Sequence, residues 1–229
     1  MRLRAAVILL ILAILVFLQA GCTGGQIMPP VNSGTIAAVV NGEYITIAEL
    51  DYYRVRLRAK VMSEVAEQFS ITYSESFWQT DLNGKTPQDI LDETALNECI
   101  TAKIKLTLCR ENNIYTDISF AALKEKALTF NKENEGKTGV AGIKSIDLDS
   151  FYTYYIDTGV MQLKNILAQG ELKPGEDELK NFINGMSKAQ ADAYTGDSFD
   201  SYVRELLITQ KFDALIKRLL DEAVVTVQQ

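Results

Sequence analysis

Leu96, Ile100, Ile104 and Leu108 stand four apart in one uninterrupted stretch, and this spacing constrains the chain more than any other feature. Side chains at that interval share one face of an α-helix, so the segment must be helical and must bury that stripe against other elements. Cys99 and Leu106 flank the stripe and widen it. Thr86 is a fitting cap for this helix and Pro87 a fitting first residue, and Asn112-Asn113 ends it. Further segments share the pattern. Thr46-Ile47-Ala48-Glu49 has the spacing of a capping box and predicts a helix from Ile47 to about Gln68. Ser119 caps a helix reaching about Glu133 with Leu123, Ala127 and Phe130 inside. After a loop from Gly136 to Ser145, a helix is expected from Asp149 to Leu167, with Asp149 as cap. A short polar helix follows from Glu176 to Met186. Ser198, or Asp197 beside it, caps a last long helix striped by Phe199, Tyr202, Val203, Leu206, Leu207, Leu215 and Leu219.

The β-prone runs stand apart from these helices. Ile36 to Val40 is followed by Asn41-Gly42, a strong two-residue hairpin signal, and Glu43-Tyr44-Ile45 returns as a second strand. Val224 to Val227 closes the pattern. The expected fold is mostly α: a multi-helix domain over residues 36–229 with a small sheet made by the N-terminal hairpin and the C-terminal strand.

Ahead of that domain, Arg2 and Arg4 precede an uncharged run from Ala5 to Leu18. The run is shorter than the roughly 20 apolar residues a spanning helix needs, and it fits the core of a signal peptide. It ends in Leu18-Gln19-Ala20-Gly21-Cys22, which resembles the bacterial lipobox, although Gln19 stands where an aliphatic residue is usual. The resemblance implies a signal peptide over residues 1–21 and a diacylglyceryl group on Cys22. Each buried methylene of such a group contributes about 0.8 kcal/mol to membrane anchoring. Residues 22–35, rich in Gly and Pro, are expected to be a flexible tether. The protein is then expected outside the cytoplasm, lipid-anchored to the outer face of the cytoplasmic membrane.

Composition removes several classes of function. The chain has 23 Lys plus Arg against 30 Asp plus Glu, a net charge of −7, which disfavours nucleic acid as a partner. It has no histidine, so imidazole-based nucleophilic catalysis and the common histidine-containing zinc sites are closed. No phosphate-cradling glycine loop with its lysine occurs, so ATP is not implied. We expect no cofactor beyond the lipid, no metal site and no catalytic residues. Cys99 and Cys109, ten residues apart on one helix, are separated by about 15 Å along its axis. They cannot bridge each other and read as buried small hydrophobes. Asp147 with Asp149, and Glu176-Asp177-Glu178, read as helix-start charges rather than catalytic pairs. Asp221-Glu222 reads as solvated surface.

Ala38-Val39-Val40-Asn41-Gly42-Glu43-Tyr44-Ile45-Thr46, followed by Glu49-Leu50 and Tyr52-Tyr53, resembles the opening of the SurA and PrsA-type foldases, in which a similar hairpin leads into the first helix of a chaperone module. Phe77-Trp78 through Asp81-Leu82-Asn83-Gly84-Lys85-Thr86-Pro87 is similar to a stretch of the Gram-positive relatives. Ser198-Phe199 through Gln210-Lys211 to Val227 is similar to that module's closing helix and strand. Many relatives insert a parvulin-type prolyl isomerase domain before the closing helix. Here Met186 to Ser198 is only a loop, and the histidines of the parvulin site are missing. The resemblance therefore implies a SurA N-terminal-like chaperone domain without that enzyme. Its partners would be unfolded or nascent exported polypeptides, gripped in an aromatic-lined cleft with an acidic rim. Tyr52, Tyr53, Phe77, Trp78, Tyr152 and Tyr155, with Tyr154 beside them, are the candidate client-binding residues, since such rings offer apolar area with a polar handle. Two alternatives stay open: prolyl isomerase by family relation, and an accessory envelope lipoprotein with one specific partner.

Overall fold

A computed structural model describes residues 34–135, 145–186 and 197–228. The leader, Cys22 and most of the tether lie outside the described residues, as do most of the loop expected over 136–145 and the interval 187–196. Strands β1 (Ile36–Val40) and β2 (Glu43–Thr46) form the hairpin. Helix α1 (Ile47–Phe69) follows directly, then a short 3-10 turn at Phe77–Gln79 and helix α2 (Pro87–Glu111). Helices α3 (Phe120–Asn134), α4 (Leu148–Leu167), α5 (Glu176–Gly185) and α6 (Asp197–Asp221) precede strand β3 (Val225–Val227). Among the described residues no helix is long and apolar enough to cross a membrane.

The sheet has the order β2-β1-β3, both pairings antiparallel, so the two ends of the domain meet in it as the sequence implied. Asn41 and Gly42 both take positive φ (49° and 87°), the backbone a two-residue hairpin of this hand requires. Asn41 has a second task. Its side-chain oxygen accepts from the Val224 N–H at 2.9 Å and its own N–H donates to the Val224 carbonyl at 3.0 Å, which ties β3 to the turn.

The helix starts obey their local chemistry with one revision. Thr86 and Asp89 form a reciprocal capping box at α2. The Thr86 hydroxyl, which donates to Asp89, and the Thr86 N–H hold that carboxyl below its ordinary range. At α4 the cap is Asp147 rather than the expected Asp149: its Oδ1 accepts from the Ser150 N–H at 2.9 Å and Oδ2 from the Ser150 hydroxyl at 2.8 Å. Ser150 three residues on offers two donors to Asp147 and none to Asp149, which leaves Asp149 free to act elsewhere. The cap expected at Ser198 or Asp197 rests on side chains outside the described set.

Helix α2 is the central strut. It packs along α1 and also touches α4, α6, the 3-10 turn and the sheet. Its buried residues are Pro87, Leu91, Ala95, Cys99, Ile100, Ala102, Lys103, Ile104, Leu106 and Cys109, so it buries more than one stripe. Leu96 and Leu108, which defined the sequence stripe, are only half-buried at its margin. Cys99 and Cys109 are free and buried, as expected. Burial pushes the Cys109 thiol up to about 11 and Cys99 higher still, so both behave as small hydrophobes. At the far end Arg110 makes a two-pronged ion pair with Glu43 of β2 (3.0 and 2.6 Å), which fixes the hairpin against the helix. Helix α4 comes close to the loop after α2 at Gly159, where a Cβ atom would stand 2.6 Å from the Tyr115 ring.

Candidate functional site

Glu49, three residues past the Thr46 cap, does not stay at the surface. The Thr46 hydroxyl accepts from the Glu49 N–H at 3.2 Å as the capping pattern predicts, while the carboxylate turns inward. It meets the Lys103 ammonium at 3.1 Å, and the Tyr152 hydroxyl donates to it at 3.4 Å. Glu49, Lys103 and Tyr152 are each about 1% exposed. Burial pushes the Glu49 carboxyl up despite the opposing pull of Lys103, and pushes the Tyr152 hydroxyl well above its ordinary value. This closed polar core is where α1, α2 and α4 converge.

The aromatic candidates sort themselves around it. Tyr52, Tyr53 and Tyr152 pack ring on ring with Phe120, their centroids 5.0 to 5.9 Å apart. Phe77 and Trp78 form a separate cluster at the 3-10 turn, with the Arg58 guanidinium 4.1 Å from the Trp78 ring centroid. Tyr155 stacks on Tyr115 at 4.0 Å, and the Tyr115 hydroxyl donates to the Tyr155 carbonyl at 2.6 Å. Tyr53, Phe77, Trp78, Tyr152 and Tyr155 are all buried, so these rings fill the interior, and Tyr53 alone among them also borders an opening. Each lies on the apolar side of its element, where burial of 150 Å² or more of ring outweighs any surface use. Tyr52 is half-buried, and its hydroxyl donates to Asp149 at 2.6 Å. Arg56 reaches the same carboxylate at 3.3 Å. Tyr154, in contrast, is 61% exposed.

Beyond the Tyr52–Asp149 latch a groove of about 430 Å³ opens between α1 and α4 with α2 as its floor. Helix α1 contributes Tyr53, Arg56, Leu57 and Lys60, and α2 contributes Glu98, Thr101, Ala102 and Lys105. Helix α4 contributes Thr153, Ile156 and Asp157. Tyr53, Leu57, Ala102 and Ile156 give it the apolar part of a bed that is otherwise polar. Tyr154 and Met161 (58% exposed) stand on the stripe of α4 that carries Asp157 and so form an apolar shoulder outside the rim. The cleft is therefore between helices as expected, but its lining differs. Of the six aromatic candidates only Tyr53 reaches it. The rim is mixed rather than acidic, because the net charge of a chain does not say where its cations gather. Arg56, Lys60 and Lys105 face Glu98 and Asp157.

None of the rim residues was marked by the sequence, since each is an ordinary exposed helical charge until three helices are brought together. The one usable signal was Tyr154, which falls off the buried stripe of its own helix. The groove's floor hydroxyl, Thr101, donates to the Asn97 carbonyl within its own helix at 2.9 Å. Among the described residues no cluster of carboxylates and cysteines is placed to hold a metal ion.

No family model matches the chain, and no solved structure matches it. Over 104 residues, 45% of its length, it is 34% identical to a foldase protein PrsA of Caldanaerobacter subterraneus subsp. tengcongensis, a match that takes in 30% of that protein. The likeness falls on less than a third of the relative and supports a PrsA-like relation for the part that it covers.

Proposed function

We propose that this protein is a foldase-type chaperone whose groove over α2 takes extended segments of unfolded or nascent exported polypeptides. A lipid on Cys22 would hold it at the outer face of the cytoplasmic membrane. The observation that carries this reading is the build of the groove, a partly apolar bed bordered by side chains of both signs of charge. Apolar contact is non-directional and accepts many side chains, while mixed charges accept segments of either sign. The exposed Tyr154 and Met161 extend that adaptable surface. Holding without chemical change agrees with a floor hydroxyl already committed to its own helix and a chain without imidazole. The partial likeness to a foldase supports the same reading.

The test is a pair of assays on one preparation. Aggregation of chemically denatured citrate synthase should be suppressed at near-equimolar chaperone, and Thr101→Trp, which fills the groove floor, should remove most of that effect. Refolding limited by proline isomerisation should keep its uncatalysed rate. Acceleration would instead establish a prolyl isomerase. A single dominant crosslinked adduct in cells would establish an accessory lipoprotein with one partner. For the anchor, radiolabelled palmitate should enter the wild-type protein, and Cys22→Ala should abolish labelling and release the protein into the medium.

A further inference from the structure

The sheet has two outer edges and they are treated differently. The edge at β2 is guarded: Glu43 is tied into the Arg110 ion pair, and the strand runs straight into α1. Among the described residues the edge at β3 carries no such device. The sequence from Ala223 to Gln229 holds no charge and no proline. Val224, Val225 and Val227 are 71%, 38% and 56% exposed. Natural edge strands are usually blunted by charge, proline or a covering element, because their unpaired amides invite another strand.

The register says which groups are unpaired. Val39 lies opposite Thr226, and flanking bonds run from the Asn41 N–H to the Val224 carbonyl and from the Gln228 N–H to the Ala37 carbonyl. Antiparallel ladders alternate, so Val224, Thr226 and Gln228 turn their backbone groups toward β1. Val225 and Val227 turn their N–H and C=O groups outward. Their side chains lie on the same face as their cross-strand partners Val40 and Ala38, which are 1% and 0% exposed. An added strand with alternating apolar residues would extend that buried face and cover both valines.

We propose that the outer edge of β3 is a strand-addition site for an extended, alternately apolar segment of an incompletely folded polypeptide. A second copy of this chain fits poorly there. Three residues span only about 10 Å, and edge pairing of two such strands buries far less than the roughly 1,200 Å² of a stable interface. A flexible segment needs no such area, since main-chain hydrogen bonds supply its affinity and alternate side chains its selectivity. This site is separate from the groove and stands or falls without it.

The probe is a fluorescent peptide of alternating valine and threonine with lysine ends, added to the full chain. Saturating peptide should slow amide hydrogen exchange at Val225 and Val227 about ten-fold. A peptide N-methylated at the edge-facing positions should give no protection. Val227→Pro removes one outward N–H and none of the bonds to β1, and it should weaken binding about ten-fold with an unchanged unfolding midpoint. Thr101→Trp should leave edge binding intact. Unchanged exchange at both valines, undiminished binding by Val227→Pro, or equal binding of the methylated peptide would overturn the proposal. So would protection of both amides without peptide that rises with protein concentration, which would assign the edge to a second copy.

Discussion

Helices α1, α2 and α4 meet twice, and the two meetings have opposite chemistry. In one, Glu49 and Lys103 are buried together beneath Tyr152. On other faces of the same helices, Arg56, Lys60, Lys105, Glu98 and Asp157 border the groove around a partly apolar bed. A charged pair in the interior is costly and adds little net stability, but it punishes any arrangement that separates its members. Around the groove each charge keeps its hydration and is worth little to the fold. The buried pair fixes geometry, and the groove is free to bind.

Breaking the buried pair should have the largest effect. Lys103→Met strands the Glu49 carboxylate and should cost about 3–5 kcal/mol in urea unfolding at neutral pH. Joining it with Glu49→Met should recover most of that loss. The sign with pH is fixed by the upward shift of Glu49. A raised carboxyl favours the folded state while protonated, so the deficit of Lys103→Met should shrink as pH falls toward the ordinary carboxylate range and grow as pH rises through the folded value. A pH-independent deficit would mean that the carboxylate is not truly sequestered.

Gly159→Ala comes next. Its methyl would meet the Tyr115 ring at 2.6 Å, so either that ring or α4 must give way, at a cost of about 1–3 kcal/mol. Because α4 is one wall of the groove, weakened client binding by the same variant would show that the helix moves, and unchanged binding that the ring does.

Thr86→Ala should cost about 1 kcal/mol by uncapping α2. Asp89 is depressed by its bonds to Thr86, so the wild-type contribution is present above the ordinary carboxylate pKa and lost as pH falls through the lower folded value. This trend is opposite in sign to that of Glu49. Urea midpoints between about pH 5 and pH 2 should separate the two.

The smallest effect on stability belongs to the groove rim. Lys60→Ala and Lys105→Ala should each change unfolding by less than about 0.5 kcal/mol, while together they weaken binding of acidic client segments in fluorescence titrations. Equal binding of acidic and neutral segments by the double variant and wild type would remove the rim from the account.

Much of the fold could be read in the residues, because it is locally encoded. Asn41-Gly42 names its turn, Thr86-Pro87 names its helix start, and the four-residue spacing names α2. The ends meet in one sheet as the hydrophobic runs implied. The site was far less legible. Glu49 reads as half of a capping box, and nothing near it announces a lysine 54 residues away. Asp149 reads as a cap until Ser150 is seen to serve Asp147. The aromatic clusters were conspicuous because they are large, but size favours burial, and five of the six entered the core. The groove is bordered by three helices, a distance relation that no single segment carries.

Client binding is expected in the groove and not on exposed apolar surface at large. A photocrosslinking residue placed at Thr101, on the groove floor, or at Val55, 78% exposed on the far side of α1, distinguishes these directly. With a denatured client present, the crosslinking yield should be about ten-fold higher from position 101 than from position 55. Equal yields, or a higher yield from position 55, would contradict it.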